Sequence, residues 1–209
     1  MNFLTDKTTL LTGGSGLLGT ELQKWGRFFA PPHRMMDITK PDSQWPDADV
    51  ILHAAAFTSV EGAEVNKDKC FDVNVKGTLN LLNHYSNTPF IFISTEYANN
   101  PVNFYGLTKF LAEQLVMSHS NYLIIRTLFK PKPWPYPYAF RDKFTLGDYS
   151  DIIGEKIYKE IEQWDGKSKL VYIGTGRKSY YELALETNLD VKPNSVHDIK
   201  GVKIPIDYK

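Results

Sequence analysis

Short runs rich in β-branched and aromatic residues alternate along this chain with longer stretches in which apolar positions return every three or four residues. The runs fall at Thr8–Thr12, Arg27–Ala30, Val50–Ala55, Phe90–Ser94, Tyr122–Arg126 and Leu170–Gly174, and predict strands. Helices are predicted over Leu17–Trp25, over Val60–Glu64 running on through Asp72–Tyr85, and over Phe104–His119, Tyr149–Trp164 and Ser179–Glu186. Within Phe104–His119 the residues Leu107, Phe110, Leu111, Leu115 and Val116 share one apolar face, which is expected to lie on a sheet. Strand and helix in strict alternation argue for an α/β fold: a Rossmann-type doubly wound parallel sheet with helices on both faces.

The pattern breaks once, at Lys130–Tyr149, where Lys-Pro-Lys-Pro-Trp-Pro-Tyr-Pro-Tyr cannot make regular helix or a central strand. Proline removes backbone donors and fixes φ there. An ordered surface segment leaving the C-terminal end of the strand Tyr122–Arg126 is expected, at the sheet edge where such folds bind ligands. It divides the chain into a dinucleotide-binding unit over residues 1–128 and a reduced C-terminal substrate-binding portion over 129–209, part of which returns to the main sheet.

At 209 residues the chain is long enough for one α/β domain with a sizeable core. Its 24 basic and 24 acidic side chains cancel, which argues against nucleic acid or an anionic membrane surface as a partner. No apolar run is long enough to span a bilayer, and Cys70, the lone cysteine, fits a reducing compartment, so a cytoplasmic protein is expected. The five histidines are scattered without ligand-like spacing, and no metal site is expected.

Candidate chemistry begins at Thr12-Gly13-Gly14-Ser15-Gly16-Leu17-Leu18-Gly19, between the first strand and the first helix. Glycines there allow a tight turn and let backbone N–H groups approach a pyrophosphate, and the helix start adds partial positive charge. Thr20 stands where a P-loop would need lysine. A second motif, Tyr105-Gly-Leu-Thr-Lys109, sets a phenol and an ammonium four residues apart on one helix face. A neighbouring ammonium lowers a tyrosine pKa from its usual value near ~10. Ser94 and Thr95, ending a buried strand, are placed to offer a hydroxyl to a substrate oxygen.

With these motifs the chain resembles the extended branch of the short-chain dehydrogenase/reductase superfamily, and within it the RmlD-like (dTDP-4-dehydrorhamnose reductase-like) group. Further carriers are Met36-Asp37-Ile38-Thr39, His53-Ala54-Ala55-Ala56-Phe57-Thr58, Asn74 with Gly77, Ser94-Thr95-Glu96-Tyr97, Asn103-Phe104 before Tyr105, and Arg126-Thr127. The resemblance covers residues 8–127 well and the remainder loosely.

The resemblance implies that Tyr105 donates a proton to a carbonyl oxygen as hydride arrives from a nicotinamide, that Lys109 binds the nicotinamide ribose and depresses the tyrosine pKa, and that Thr95 holds the substrate oxygen. Gly13, Gly16 and Gly19 would carry the pyrophosphate. Ser15, Leu17, Leu18 and Ser94 would add cofactor contacts, Asp37 and Ile38 would flank the adenine, and Ala54, Ala55 and Ala56 would let the cofactor lie against the sheet edge. Asn74 is either a support near the site or a polar residue on a solvated turn. No carboxylate ends the strand Arg27–Ala30, and Arg34 follows, so NADP(H) is favoured with NAD(H) as the other option. A generic dinucleotide fold would instead recruit Asp37, eighteen residues after Gly19, for the ribose.

Substrate contacts are expected from Thr58, Glu96, Phe129, Trp134 and Arg141, with cations for a diphosphate and aromatic faces for a base or sugar. The alternative for the 130–143 stretch is a proline-braced loop whose aromatics pack on the domain. Departures from the group's pattern are the ten-residue step from Thr95 to Tyr105, which trims a lid loop, Glu96 in place of aspartate, Gly62 where lysine is common, and Phe129 where tryptophan is frequent. The function expected is reduction of a nucleotide-linked keto-sugar. Its rivals are epimerisation or dehydration within the same branch, and a non-catalytic NADP-binding regulatory subunit. Relatives of this kind pair through the helices matching Asp72–Tyr85 and Phe104–His119, which makes a homodimer an expectation.

Overall fold

A computed structural model describes residues 2–41, 45–198 and 201–205. Its centre is a five-stranded, wholly parallel sheet of β1 (Thr9–Thr12), β2 (Val50–His53), β3 (Phe90–Thr95), β4 (Tyr122–Thr127) and β9 (Lys169–Tyr172), in the spatial order β1-β2-β3-β4-β9. Strands β1, β2 and β3 are buried along their whole length, because helices cover both faces.

Successive residues of each strand feed opposite layers. Leu11, Leu52, Ile91 and Ile125 point towards α1 (Leu17–Leu22) and α6 (Ser150–Glu162), meeting Leu18, Leu22, Ile153 and Ile157. Leu10, Ile51, Phe92 and Ile124 point the other way, towards α4 (Gly77–His84) and α5 (Phe104–Met117), meeting Leu81, Leu82, Ala112 and Val116. Each such side chain contributes about 1.5–3 kcal/mol by leaving water.

Several predicted elements are shorter or broken. Arg27–Ala30 is not a strand: Phe29 makes a single parallel bridge to Leu10, with hydrogen bonds to Thr9 and Leu11, before Pro31 and Pro32 end the pairing. The first helix stops at Leu22 rather than Trp25. The long helix expected from Val60 is four pieces: α2 (Val60–Val65), α3 (Lys67–Phe71), a π-turn over Asp72–Lys76, and α4. Asn66, with φ −117° and ψ 57°, leaves helical geometry between α2 and α3.

After Leu128 the chain returns to the main sheet through α6 and β9, and its other segments build a small lobe over the C-terminal ends of the strands. Four short strands, β5 (Phe129–Lys130), β6 (Tyr138–Phe140), β7 (Phe144–Thr145) and β8 (Asp148–Tyr149), occupy the proline-rich segment. They pair with one another or with β10 (Lys178–Ser179) and β11 (Lys192–Asn194) from further along the chain. Helix α7 (Tyr180–Leu185) closes the lobe, its start fixed by a capping box between Ser179 and Glu182. Tyr97, Leu128, Trp134, Tyr149, Tyr180 and Leu183 form the lobe's own apolar cluster. The segment is therefore not simply a surface strap, since several of its side chains are core. Among the described residues no helix is long and apolar enough to cross a membrane.

Helix α5 buries a face different from the one its apolar residues mark. Val116 of the expected face is buried, but Leu107 is 40% exposed, and Lys109, Ala112 and Glu113 are buried in its place, so two charged residues lie against the sheet. Glu113, fully buried, accepts from Arg126 Nε (2.9 Å) and Nη2 (2.7 Å) on β4, and from Ser94 Oγ (2.5 Å) on β3. Glu113→Leu strands the Arg126 guanidinium beside the sheet and is expected to cost about 3–5 kcal/mol in urea unfolding. The double variant Glu113→Leu/Arg126→Leu is expected to recover part of that loss, because the unpaired charge goes with its partner.

Candidate active site

β1 hands the chain to α1 through a turn closed by a hydrogen bond from Gly16 N to Gly13 O (2.9 Å). Gly13 has φ +74°, and a Cβ there would lie 2.6 Å from Ala55 N, so the loop rests directly on the backbone that continues β2. A Cβ on Gly19 would meet Gly13 O at 2.3 Å, which holds the first turn of α1 against the loop. The alanines answer the glycines: Ala54–Ala56 supply the low wall against which the loop packs.

His53 sits beneath this junction. Its Nδ1 is 2.7 Å from Thr12 Oγ1 and its Nε2 is 3.0 Å from Thr78 Oγ1. Thr78 donates its hydroxyl hydrogen to Asn74 O (2.7 Å), so the network assigns the ring proton to Nε2 and leaves Nδ1 accepting from Thr12. Burial, reinforced by the Lys109 charge, pushes the His53 pKa down to about 3, so the imidazole is a neutral brace between β1, β2 and α4.

Asn74 is the support rather than a solvated turn residue. It lies in the π-turn, accepts from Phe57 N (2.8 Å), and donates to Phe57 O (3.1 Å) and to Thr108 Oγ1 (3.0 Å). One amide thereby fixes the chain after β2 to the helix that carries Tyr105. Asn103 caps that helix through Gly106 N (2.8 Å), and Gly106 passes so close to Tyr97 O that a Cβ would sit 2.7 Å from it.

A cavity of about 630 Å³ runs over these strand ends. It is lined by Gly13 to Gly19, by Asp37 and Ile38, by Ala54 to Thr58, and by Ser94, Thr95 and Tyr105. The glycine loop and the Tyr105 motif therefore open onto one space. Tyr105 interacts with the Thr95 side chain, and its ring is 5.8 Å from that of Tyr97. Burial pushes the Tyr105 pKa up to about 12, against a smaller lowering from Thr95. This reverses the expected depression: the phenol keeps its proton throughout the neutral range.

Lys109 is also placed differently from expectation. It does not line the cavity; its Nζ donates to Ile93 O (2.8 Å) and stands 3.9 Å from the centre of the Phe92 ring. Burial brings its pKa down to about 7, with Glu113 and Cys70 opposing. It is held behind the wall, one helical turn from Tyr105.

Of the residues expected to meet substrate, Thr58 and Phe129 line the cavity, and Glu96, Trp134 and Arg141 do not. Glu96 is buried and turned away, accepting from Thr145 Oγ1 and Leu146 N at 2.8 Å each, so it ties β3 to the lobe. Trp134 is buried in the lobe core, its indole N–H donating to Tyr138 O (3.3 Å). Arg141 is exposed elsewhere, with its backbone N bonded to Asn194 O. Arg34, expected beside the cofactor, is an exposed turn residue outside the lining, and His33 lines the cavity instead. Tyr97, Lys130, Tyr136 and Tyr180 line it without having been singled out as contacts. Lys130 and Tyr136 lie within the basic and aromatic stretch that signalled a site, whereas Tyr180 carries no such signal, because the β7–β10 pairing brings it in. Among the described residues no group of His, Cys, Asp and Glu side chains is arranged to hold a metal ion.

Comparison with known proteins gives the chain a family and a shared fold. An uncharacterised membrane protein of Methanocaldococcus jannaschii is 36% identical over 152 residues, 58% of this chain and 46% of that protein. The dTDP-4-dehydrorhamnose reductase of Aggregatibacter actinomycetemcomitans is 31% identical over 148 residues, 56% of this chain and 50% of the enzyme. This chain thus spans about half the length of each of these two curated relatives. Among solved structures, the dTDP-4-dehydrorhamnose reductase of Bacillus anthracis in complex with NADP superposes with a TM-score of 0.82 at 22% identity. The superposition covers 97% of this chain and 88% of that one, and shows a shared fold. The family model of the RmlD substrate binding domain matches residues 7–130, the span that contains the glycine loop, the alanine wall and the Tyr105 helix, and the chain belongs to that family.

Proposed function

We propose that this chain is an NADP(H)-dependent reductase of a nucleotide-linked keto-sugar, of the 4-keto-6-deoxy kind. The observation that carries the reading is the single cavity in which the glycine loop shares a wall with Thr95 and Tyr105. The loop suits a dinucleotide, since Gly13 and Gly19 stand where a Cβ would collide with backbone, leaving a thin wall that a pyrophosphate can approach. Gly13 to Gly19, Asp37, Ile38 and Ala54 to Ala56 would hold the cofactor. The NADP complex of the Bacillus anthracis relative supports NADP(H), whereas the position of Arg34 lends that choice no support.

Bound NADPH would supply hydride to the carbonyl carbon. The chain's own work is on the oxygen. Thr95 holds it by a hydrogen bond, and Tyr105, protonated at neutral pH, gives it a proton as negative charge develops. The phenolate left behind favours a nearby cation, and Lys109, one turn along the same helix, supplies that charge while it remains protonated. Ser94 acts indirectly, since its hydroxyl is committed to Glu113.

NADPH absorbance is expected to fall stoichiometrically with a nucleotide-linked 4-keto-6-deoxy sugar. Tyr105→Phe should slow turnover by about 10²–10⁴-fold with NADPH affinity kept. An epimerase or dehydratase would convert the sugar without net loss of NADPH, and a regulatory binder would leave both unchanged.

A pH profile tests the role of Lys109. Its charge is present below its pKa of about 7 and lost above it, so kcat/KM for reduction should decline as pH rises through neutrality. Lys109→Arg, which stays charged, should move that decline well into the alkaline range. A profile that is level from pH 6 to 9 in the wild type would remove Lys109 from the proton-transfer step.

A further inference from the structure

Lys130 follows Phe129 out of β4 in the two-residue strand β5, and it lines the cavity. Its ammonium is surrounded by aromatic faces: its Nζ is 5.1 Å from the centre of the Tyr180 ring, 5.7 Å from Tyr136 and 5.9 Å from Trp134. Tyr136 and Tyr180 line the cavity beside it. Among the described residues the ammonium has no hydrogen bond and no ion pair. Among the described residues Glu61 is the carboxylate that acts on it, and does so without an ion-pair contact. Lys143, a fully buried cation whose field reaches the half-buried Lys130, is already engaged, donating to Tyr97 Oη (2.8 Å) and Pro205 O (3.1 Å).

An ammonium taken from water is tolerated when a counter-charge or hydrogen-bond acceptors replace its hydration. Aromatic faces replace that hydration in part, and they do so best for a cation that also meets an anion on its open side. Burial pushes the Lys130 pKa down, the direction expected of a cation short of partners.

The position matters as much as the charge. The glycine loop leaves β1, Tyr105 follows β3, and Lys130 follows β4. In the order β1-β2-β3-β4, the segment leaving β4 emerges on the far side of the segment leaving β3 from the glycine loop. A molecule whose reacting carbon sits at Tyr105 thus reaches Lys130 with the part that points away from the dinucleotide.

We propose that Lys130 is the anion-recognising residue of the substrate half of the cavity, its ammonium taking phosphate or carboxylate oxygens of the nucleotide-linked substrate while Tyr136 and Tyr180 flank them. The inference rests on the reading of this cavity as a nucleotide-sugar site. In a nucleotide-linked 4-keto-6-deoxy sugar the diphosphate linkage carries the required oxygens; in a nucleotide-linked uronic acid, a sugar outside the 6-deoxy class, a ring carboxylate carries them as well. Lys130 is a specificity determinant and takes no part in bond making.

The test is calorimetric titration of the full chain, with NADPH saturating, using UDP, dTDP, UDP-glucose and UDP-glucuronate as probes. Wild type is compared with Lys130→Met, which keeps the apolar stem, and with Lys130→Arg, which keeps the charge. Lys130→Met is expected to weaken UDP and dTDP binding tenfold or more, and Lys130→Arg to stay within about threefold of wild type. Unchanged UDP binding in Lys130→Met, with loss only of a wild-type preference for UDP-glucuronate over UDP-glucose, assigns the contact to a sugar carboxylate and also supports the proposal. Equal binding of all four probes by wild type and Lys130→Met overturns it, as does a Lys130→Arg as weak as the methionine variant. NADPH affinity, measured alone in each protein, separates the two readings. Failure of wild type to bind NADPH sinks the reductase reading, and the nucleoside diphosphate titrations, repeated without NADPH, still decide the role of Lys130. Unaltered NADPH affinity in Lys130→Met shows that the variant is folded.

Discussion

The site depends on one buried carboxylate. Glu113 reaches out of α5 into the sheet and accepts from Ser94 on β3 and from two nitrogens of Arg126 on β4. Three elements meet on one group, so the roll and height of α5 over the strand ends are set by it. Lys109 and Tyr105 lie one and two turns, respectively, towards the N-terminus of the same helix, and their relation to Thr95 at the end of β3 follows from that anchorage. Removing the charge from water is costly, and the fully engaged acceptor set offsets that cost. Arg126 is held in turn, donating to Asn99 Oδ1 (2.9 Å) and Tyr172 Oη (2.6 Å), which extends the anchorage to β9.

The same interaction marks the limit of what the chain's pattern reveals. The strands β1, β2, β3 and β4 and the glycine loop were legible, because short apolar runs and the need for glycine are local properties. The buried face of α5 was not. Counting apolar residues put Leu107 on it and left Lys109 and Glu113 out, whereas the true face is chosen by partners on β3 and β4 that lie far away in sequence. Likewise the break at Asn66 and the π-turn that follows defeat a 3.6-residue period. That turn exists where Asn74 binds the backbone of Phe57, a contact with no echo in the spacing of its own segment.

The second class of discrepancy concerns residues whose chemistry was plain and whose direction was hidden. Glu96, Trp134 and Arg141 suit a sugar-nucleotide site by type, yet one is spent on the lobe backbone, one on the lobe core, and one points elsewhere. The place of Glu96 goes with the short connection from Thr95 to Tyr105. The chain passes from β3 through a single 3₁₀ turn, Glu96–Ala98, and soon enters α5, so no long loop covers the strand ends. The lobe after Leu128 takes that place, and Glu96 is the pin that holds it there through Thr145 and Leu146. A residue beside the threonine proposed to hold the substrate oxygen has thus become part of the architecture.

Shrinking the cover shifts the burden of recognition onto the first residues after β4. A longer lid would bring its own donors to a substrate; here the wall beyond Tyr105 is largely aromatic, from Tyr97, Phe129, Tyr136 and Tyr180. Aromatic faces give area and shape but little discrimination of charge. Two ammonium groups are set among them, Lys143 satisfied by protein oxygens and Lys130 facing the open space. The division parallels that of the carboxylates. Glu113 and Glu96 are fully engaged and hold the frame, and the charge without a partner stands where a ligand can reach it. Set among those rings, the uncommitted charge of Lys130 has more leverage over which molecule binds than any of the rings around it.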